Sequence, residues 1–253
     1  GGSKMKFTLN YLMIKRLGEL IGLEFNDISP MNEIAPDTEE LVNGLPADIL
    51  SETDEILKTQ GMTDGELKPK KPISAFIKAL FAPERCLRAE LKEESGSSDV
   101  YFIPFDGAWL MMNAKHGELT AAGPVSYEIA KRYIKAALSS SLENGVLSVQ
   151  YRDEKCKRSV TVTNAEEGYA FFGSLFDKAD GKERVYVHSF AKTEENKKHI
   201  AKMLTGDVGF ELPESEKEQQ DKPSAKRVVR GICIALLVNI CAAVIVAVLK
   251  AVL

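Results

Sequence analysis

This sequence is poor in the residues that usually carry chemistry. It holds three histidines and one tryptophan in 253 residues, and its four cysteines form neither a Cys-x-x-Cys pair nor a cluster with histidine. A disulfide framework or a structural zinc site is therefore not indicated. No glycine-rich loop follows a strand pattern, and neither Gly-x-Ser-x-Gly nor His-Glu-x-x-His occurs. His116 falls in an expected turn, His188 in an expected strand and His199 on a polar helical face, and each reads as a surface or satisfied residue rather than a base. The carboxylate pairs Glu93-Glu94 and Glu166-Glu167 are explained by solvation in a loop and by a helix start. The expectation is a protein without catalytic residues, cofactor or metal, and without a small-molecule substrate. Net charge is −4, so no broad electrostatic affinity for nucleic acid is expected. No Asn-x-Ser/Thr sequon occurs. Met5 opens directly into an amphipathic pattern with no secretory signal, and Gly1–Lys4 read as a tag remnant.

Long apolar runs are also missing, with one exception. Residues 231–249, GICIALLVNICAAVIVAVL, carry no charge and no proline. A hydrocarbon core about 30 Å thick needs about 20 apolar residues in a helix, so this run is expected to be a single transmembrane helix. Cys233 and Cys241 lie inside it. Asn239 is its one strongly polar residue and would serve as a contact to a neighbouring helix. Lys226, Arg227 and Arg230 precede the run, which predicts a cytoplasmic body and a tail-anchored, single-pass protein of the cell membrane. Residues 211–230 contain PESEKEQQDKPSAK, a charged stretch without an apolar face, read as a flexible tether. Residues 5–210 then form the cytosolic domain.

Within that domain the hydrophobic period changes several times. Leu9–Ile21 places Leu9, Leu12, Met13, Leu17, Leu20 and Ile21 on one helical face before Gly22. A short helix is expected at Thr38–Val42, and a longer one at Leu45–Gln60 with Ile49, Leu50, Thr53, Ile56 and Leu57 on one face. Ile73, Phe76, Ile77, Leu80 and Phe81 form the next stripe, stopped by Pro83. Cys86–Leu91 alternates as a half-buried strand. Glu93–Asp99 is polar and rich in glycine and serine, an expected loop. Val100–Phe105 and Ala108–Asn113 flank Asp106-Gly107, a hairpin signal. Trp109 falls on the return strand and is expected to be core. Glu118–Ala121 is a further short strand, and Ser126 is placed to cap a helix to Leu142 with Ile129, Ala130, Tyr133, Ile134, Ala137 and Leu138 inward.

The remainder reads as a reduced repeat. Val146–Arg152 and Ser159–Thr163 suggest a hairpin. Asn164 with Glu167 suggests a capped helix carrying Tyr169, Phe172, Leu175 and Phe176. Glu183–Phe190 alternates as a strand, and Thr193 caps a helix bearing Ile200, Met203 and Leu204. Aligning Phe76–Leu87 with Phe172–Asp177 and Glu183–Tyr186 gives two helix, turn, Glu-Arg, strand units, a weak internal duplication.

The block from Glu52 to Leu142 carries TDEILKTQGMTDGELKP, PISAFIKALFAPERCLRAEL, the hairpin VYFIPFDGAWLMM, GELT and the helix after Ser126. With these segments it resembles the EspG-like chaperones of type VII secretion and their relatives in Gram-positive bacteria. FTLNYLMIKRLGELIG resembles the family's opening strand and helix. The resemblance implies an α+β fold: a mixed or antiparallel sheet flanked by helical bundles, with a quasi-two-fold repeat, here followed by the transmembrane helix. It implies a protein that binds secreted helical-hairpin proteins, or other secretion-system subunits, and keeps substrates soluble. A loop between two early strands contributes to binding in the family. The matching residues are Glu93, Glu94, Ser95, Gly96, Ser97, Ser98 and Asp99, and replacing Glu93, Glu94 and Asp99 by lysine is expected to spare the melting temperature while weakening client capture. The anchor departs from the family pattern and favours a membrane-tethered adaptor that contacts lipid through its last helix. The alternative is a non-enzymatic scaffold subunit of a bacterial membrane complex.

Overall fold

The structure, a computed structural model, describes residues 5–34, 47–115 and 117–206. The chain divides into two units, Gly1–Leu212 and Pro213–Leu253, and every described element belongs to the first. The expected transmembrane run with Asn239, its cationic flank, the whole tether, the helix at Thr38–Val42 and His116 lie outside the described residues. Among the described residues no helix is long and apolar enough to cross a membrane.

The body is built on one nine-stranded sheet, ordered β1-β5-β4-β3-β2-β6-β7-β8-β9. Its strands are β1 (Met5–Asn10), β2 (Arg85–Glu93), β3 (Gly96–Phe105), β4 (Ala108–Lys115), β5 (Glu118–Val125), β6 (Gly145–Asp153), β7 (Cys156–Ala165), β8 (Gly168–Asp177) and β9 (Lys182–Phe190). Every pairing is antiparallel, so the antiparallel half of the expectation holds. Among the described residues the helices are α1 (Tyr11–Leu20), α2 (Met31–Ile34), α3 (Ala47–Thr59), α4 (Lys71–Phe81), α5 (Tyr127–Asn144) and α6 (Glu194–Leu204).

Local chemistry sets these boundaries. β1 passes straight into α1 because the Asn10 side chain accepts from Met13 N at 2.7 Å, capping the first turn. Pro72 sits in the first turn of α4, where no backbone donor is needed. Asp106 and Gly107 both take positive φ, 49° and 71°, the two-residue turn whose twist suits a hairpin. Thr193 caps α6 by accepting from Asn196 N. Ser126 occupies the N-cap position of α5, but its hydroxyl makes no capping hydrogen bond.

The sheet separates two cores. On one face, α1, α2, α3 and α4 bury Leu17, Met31, Leu57, Phe76 and Phe81 against Leu9, Tyr101, Ile103, Leu110 and Met112. On the other, α5 and α6 bury Ile134, Leu138, Ile200 and Leu204 against Phe102, Leu147, Val149, Val160 and Phe171. Tyr101 and Phe102, adjacent in β3, point into opposite cores because side chains alternate along a strand. α4 and α5 carry the expected stripes, except that Ile129 is exposed. Trp109 packs against the α5 core, stacked on Tyr127 with centroids 5.0 Å apart.

Two expectations are corrected. Gly168–Asp177 is a strand, not a capped helix, and Glu166-Glu167 is the turn before it. The run Tyr169, Phe172, Phe176 fits a helical face, but Tyr169 and Phe171 against Ala170 and Phe172 also fits a strand. Pairing with β7 over all ten residues settles it. The proposed alignment of Phe76–Leu87 with Phe172–Tyr186 therefore sets a helix against a strand and fails.

A repeat does exist in another register. β2, β3 and β4 begin at Arg85, Gly96 and Ala108; β6, β7 and β8 begin at Gly145, Cys156 and Gly168. Each strand starts 60 residues after its counterpart. Two four-stranded meanders, β2–β5 and β6–β9, each end in a helix, α5 or α6, on the same face of the sheet. They meet where β2 runs antiparallel to β6, Arg85 opposite Asp153 and Glu93 opposite Gly145. The relation is a quasi-two-fold normal to the sheet.

Candidate functional site

The residues singled out for binding form the tip of the β2–β3 hairpin. Glu93 pairs with Gly96, so only Glu94 and Ser95 are turn, and Gly96, Ser97, Ser98 and Asp99 already belong to β3. The expected seven-residue loop is thus corrected to a two-residue turn on an extended hairpin, since polar side chains do not prevent pairing beyond the sheet's covered width. Glu93, Glu94, Ser95, Gly96 and Ser97 are exposed. Ser98 and Asp99 are half-buried and engaged in the fold. Ser98 Oγ lies 3.0 Å from Tyr133 Oη of α5.

Asp99 anchors the hairpin base. Arg88 donates to it from Nε at 2.9 Å and from Nη2 at 2.7 Å, and Tyr101 Oη donates to it at 3.0 Å. Arg88 Nη1 also donates to Glu33 of α2 at 3.1 Å, and Arg152 of β6 reaches Glu33 at 2.9 Å. This chain of charges straps α2 across the β2–β6 seam. Burial is the largest single influence on Arg88 and opposes its charge, but the bonds to Asp99 together with the nearby Tyr101 and Glu33 more than offset it and raise its pKa. Burial first, then the Asp99 carboxylate, raises the Tyr101 hydroxyl. Cys86, wholly buried beside Arg152, is pushed up to about 12 by burial, with Arg152 opposing.

Beside the tip lies a shallow polar groove of about 480 Å³, bordered by Lys92, Glu93, Glu143, Asn144, Val146 and Asn164. Its floor is held together where α5 turns into β6. Asn164 Nδ2 donates to the Glu143 carbonyl at 3.2 Å, and Thr163 Oγ1 to the Gly145 carbonyl at 3.0 Å. Gly145 is required there, because a Cβ would stand 2.8 Å from the Lys92 carbonyl oxygen. The exposed carboxylates Glu93, Glu94 and Glu143 give the tip and groove an acidic rim around Lys92.

The other sequence candidates are not brought to this place. His188 and His199 flank Phe190 at the far edge of the second meander, with ring centroids 4.4 and 5.8 Å from it. Among the described residues no group of three histidine, cysteine, aspartate or glutamate side chains could hold a metal ion. Sequence reasoning missed Glu33, Arg88 and Arg152. Charged residues on the inner faces of Arg85–Glu93 and Val146–Arg152 were the available signal, since a charge on a strand's buried face implies a partner.

No protein-family model matches this chain, nor does any curated protein. A solved structure, that of the Mycobacterium tuberculosis type VII secretion system chaperone EspG5 in complex with the PE25–PPE41 dimer, is similar over 83% of this chain and 98% of its own. The sequence identity is 11% and the TM-score 0.49.

Proposed function

We propose that this chain is a membrane-tethered adaptor or chaperone of a type VII secretion system that holds helical-hairpin secretion substrates at the inner surface of the cell membrane. The observation that carries the reading is the quasi-two-fold repeat of two four-stranded meanders about the β2–β6 seam. It is the architecture that the resemblance over Glu52–Leu142 implies. The exposed hairpin tip with its polar groove supports the placement of the binding surface. A client's apolar helical tip needs a few fixed contacts inside an adaptable polar rim, and Glu93–Ser97 beside Asn144 and Asn164 supply such a rim. The 231–249 run supports the tether.

The test is co-expression of the full chain with small secreted helical-hairpin proteins of its own cell. Such a client should stay soluble, and bound to the chain, only when the chain is present. Clients that are equally soluble without it, or that never bind it, contradict the reading. Integral membrane subunits as its sole partners would favour a scaffold instead.

A further inference from the structure

The two meanders end differently at their outer edges. β5, outermost in the first, is covered by β1, Met5–Asn10 lying antiparallel to Glu118–Gly123. β9 holds the same place in the second meander. It pairs with β8 on its inner side, and among the described residues no strand pairs with its outer side. An open edge presents a row of unpaired N–H and C=O groups, a template for another strand. β9 is nine residues long and contains no proline. Its fixed charges, Lys182, Glu183 and Arg184, sit at one end. Its centre is Val185-Tyr186-Val187, with Val185 69% and Val187 51% exposed. Both valines share a face with their β8 partners Ser174 and Phe172, next to the exposed Phe176.

We propose that β9 pairs antiparallel with β9 of a second copy, about a two-fold axis at Tyr186, so that two sheets join into one. This goes beyond client binding and does not rest on it. Two observations select a second copy over a foreign segment. The first is the β2–β6 seam, where the chain already joins two meanders through antiparallel strands about an axis normal to the sheet. The second is the self-complementarity of the strand. An axis of that kind keeps each side chain on its own face, so it must pass at a residue. Centred on Tyr186, all nine residues pair: each Val185 faces the other copy's Val187, each Glu183 a Ser189 and each Arg184 a His188. Centred on Arg184, two guanidiniums would stand face to face; centred on Val185, Glu183 would face a valine. Like charges directly opposite are unfavourable.

The test uses the full chain in detergent with Cys233 and Cys241 replaced by alanine. The remaining native thiols, Cys86 and Cys156, are buried. Directly opposed residues in an antiparallel pair have Cα atoms about 4.5–5.5 Å apart, within disulfide reach. Tyr186→Cys should therefore give a covalent dimer on mild oxidation. Arg184→Cys should not, while Arg184→Cys with His188→Cys in the same chain should. Val185→Lys with Val187→Lys should keep the fold, read by circular dichroism, and sediment as a monomer at concentrations where the parent is a dimer. A Tyr186→Cys chain that stays monomeric would overturn the proposal. So would equal cross-linking through Arg184→Cys alone, a dimer indifferent to the two lysines, or a parent that is monomeric and takes up only a foreign strand.

Discussion

Arg88 grips Asp99 with two parallel bonds, from Nε at 2.9 Å and Nη2 at 2.7 Å, and through Glu33 that grip reaches α2. Asp99 is therefore a structural residue, although it lies only five positions beyond the exposed Glu94. Removing one partner of a part-buried charged pair leaves the other without its bonds, at about 1–3 kcal/mol. Asp99→Lys should lower the melting temperature by several degrees, at about 2–4 °C per kcal/mol for a body of this size. Glu93→Lys with Glu94→Lys should stay within about 0.5 kcal/mol of the parent. Thermal melts of the two variants check this; equal melting temperatures would remove Asp99 from the strap. These bonds correct the expectation that Asp99 could be replaced along with Glu93 and Glu94 with no change in melting temperature.

Cys86 gives a pH dependence with a definite sign. Its thiol is held near 12 in the folded body against an ordinary value of 9.0. Between those values the unfolded chain loses the proton and the folded chain keeps it. Folding stability therefore falls as pH rises through this window and is unaffected below it. Cys86→Ala should make the decline in melting temperature above pH 9 shallower. In the parent, Cys86 should resist a thiol reagent at pH 8 until the body unfolds. Fast labelling of the folded body would contradict this burial.

Gly145 tests the join between the meanders. With only 2.8 Å from its ideal Cβ position to the Lys92 backbone oxygen, Gly145→Ala must push β2 from β6 at the α5 end. A cost of about 1–3 kcal/mol is expected, read as a shift of the denaturant midpoint at unchanged slope. No shift would mean that the seam opens freely there.

The tail prediction rests on charge and length alone. A chain ending at Leu212, the limit of the first unit, should remain folded and move from the membrane to the soluble fraction. Precipitation, or loss of a cooperative melt, would mean that the 231–249 run belongs to the core of the body.

Much of this architecture was legible from period and punctuation. The α4 stripe, the Asp106-Gly107 hairpin and the Thr193 cap are set by neighbours within a few residues, and the structure reproduces them. β8 was not legible, because Tyr169, Phe172 and Phe176 satisfy a helical and a strand reading alike, and only the β7 pairing decides. The register of the repeat escaped for a related reason. Its 60-residue spacing is kept by strand lengths and two-residue turns while its side chains differ, and Arg85 corresponds to Gly145. At the site, composition marked Glu93–Asp99 as polar and exposed. It could not show that Asp99 turns inward to Arg88, since that depends on which face of β3 meets α2.

The central claim is that the acidic hairpin tip holds a secreted helical-hairpin client. Its most direct measurement is co-purification of the tagged full chain from its own cell in mild detergent, parent against Glu93→Lys with Glu94→Lys, with partners identified by mass spectrometry. The account predicts small secreted helical-hairpin proteins with the parent and a several-fold loss of them with the variant, at equal yield and melting temperature. Equal recovery with both chains would take the hairpin tip out of the site, and no such client with the parent would contradict the chaperone reading itself.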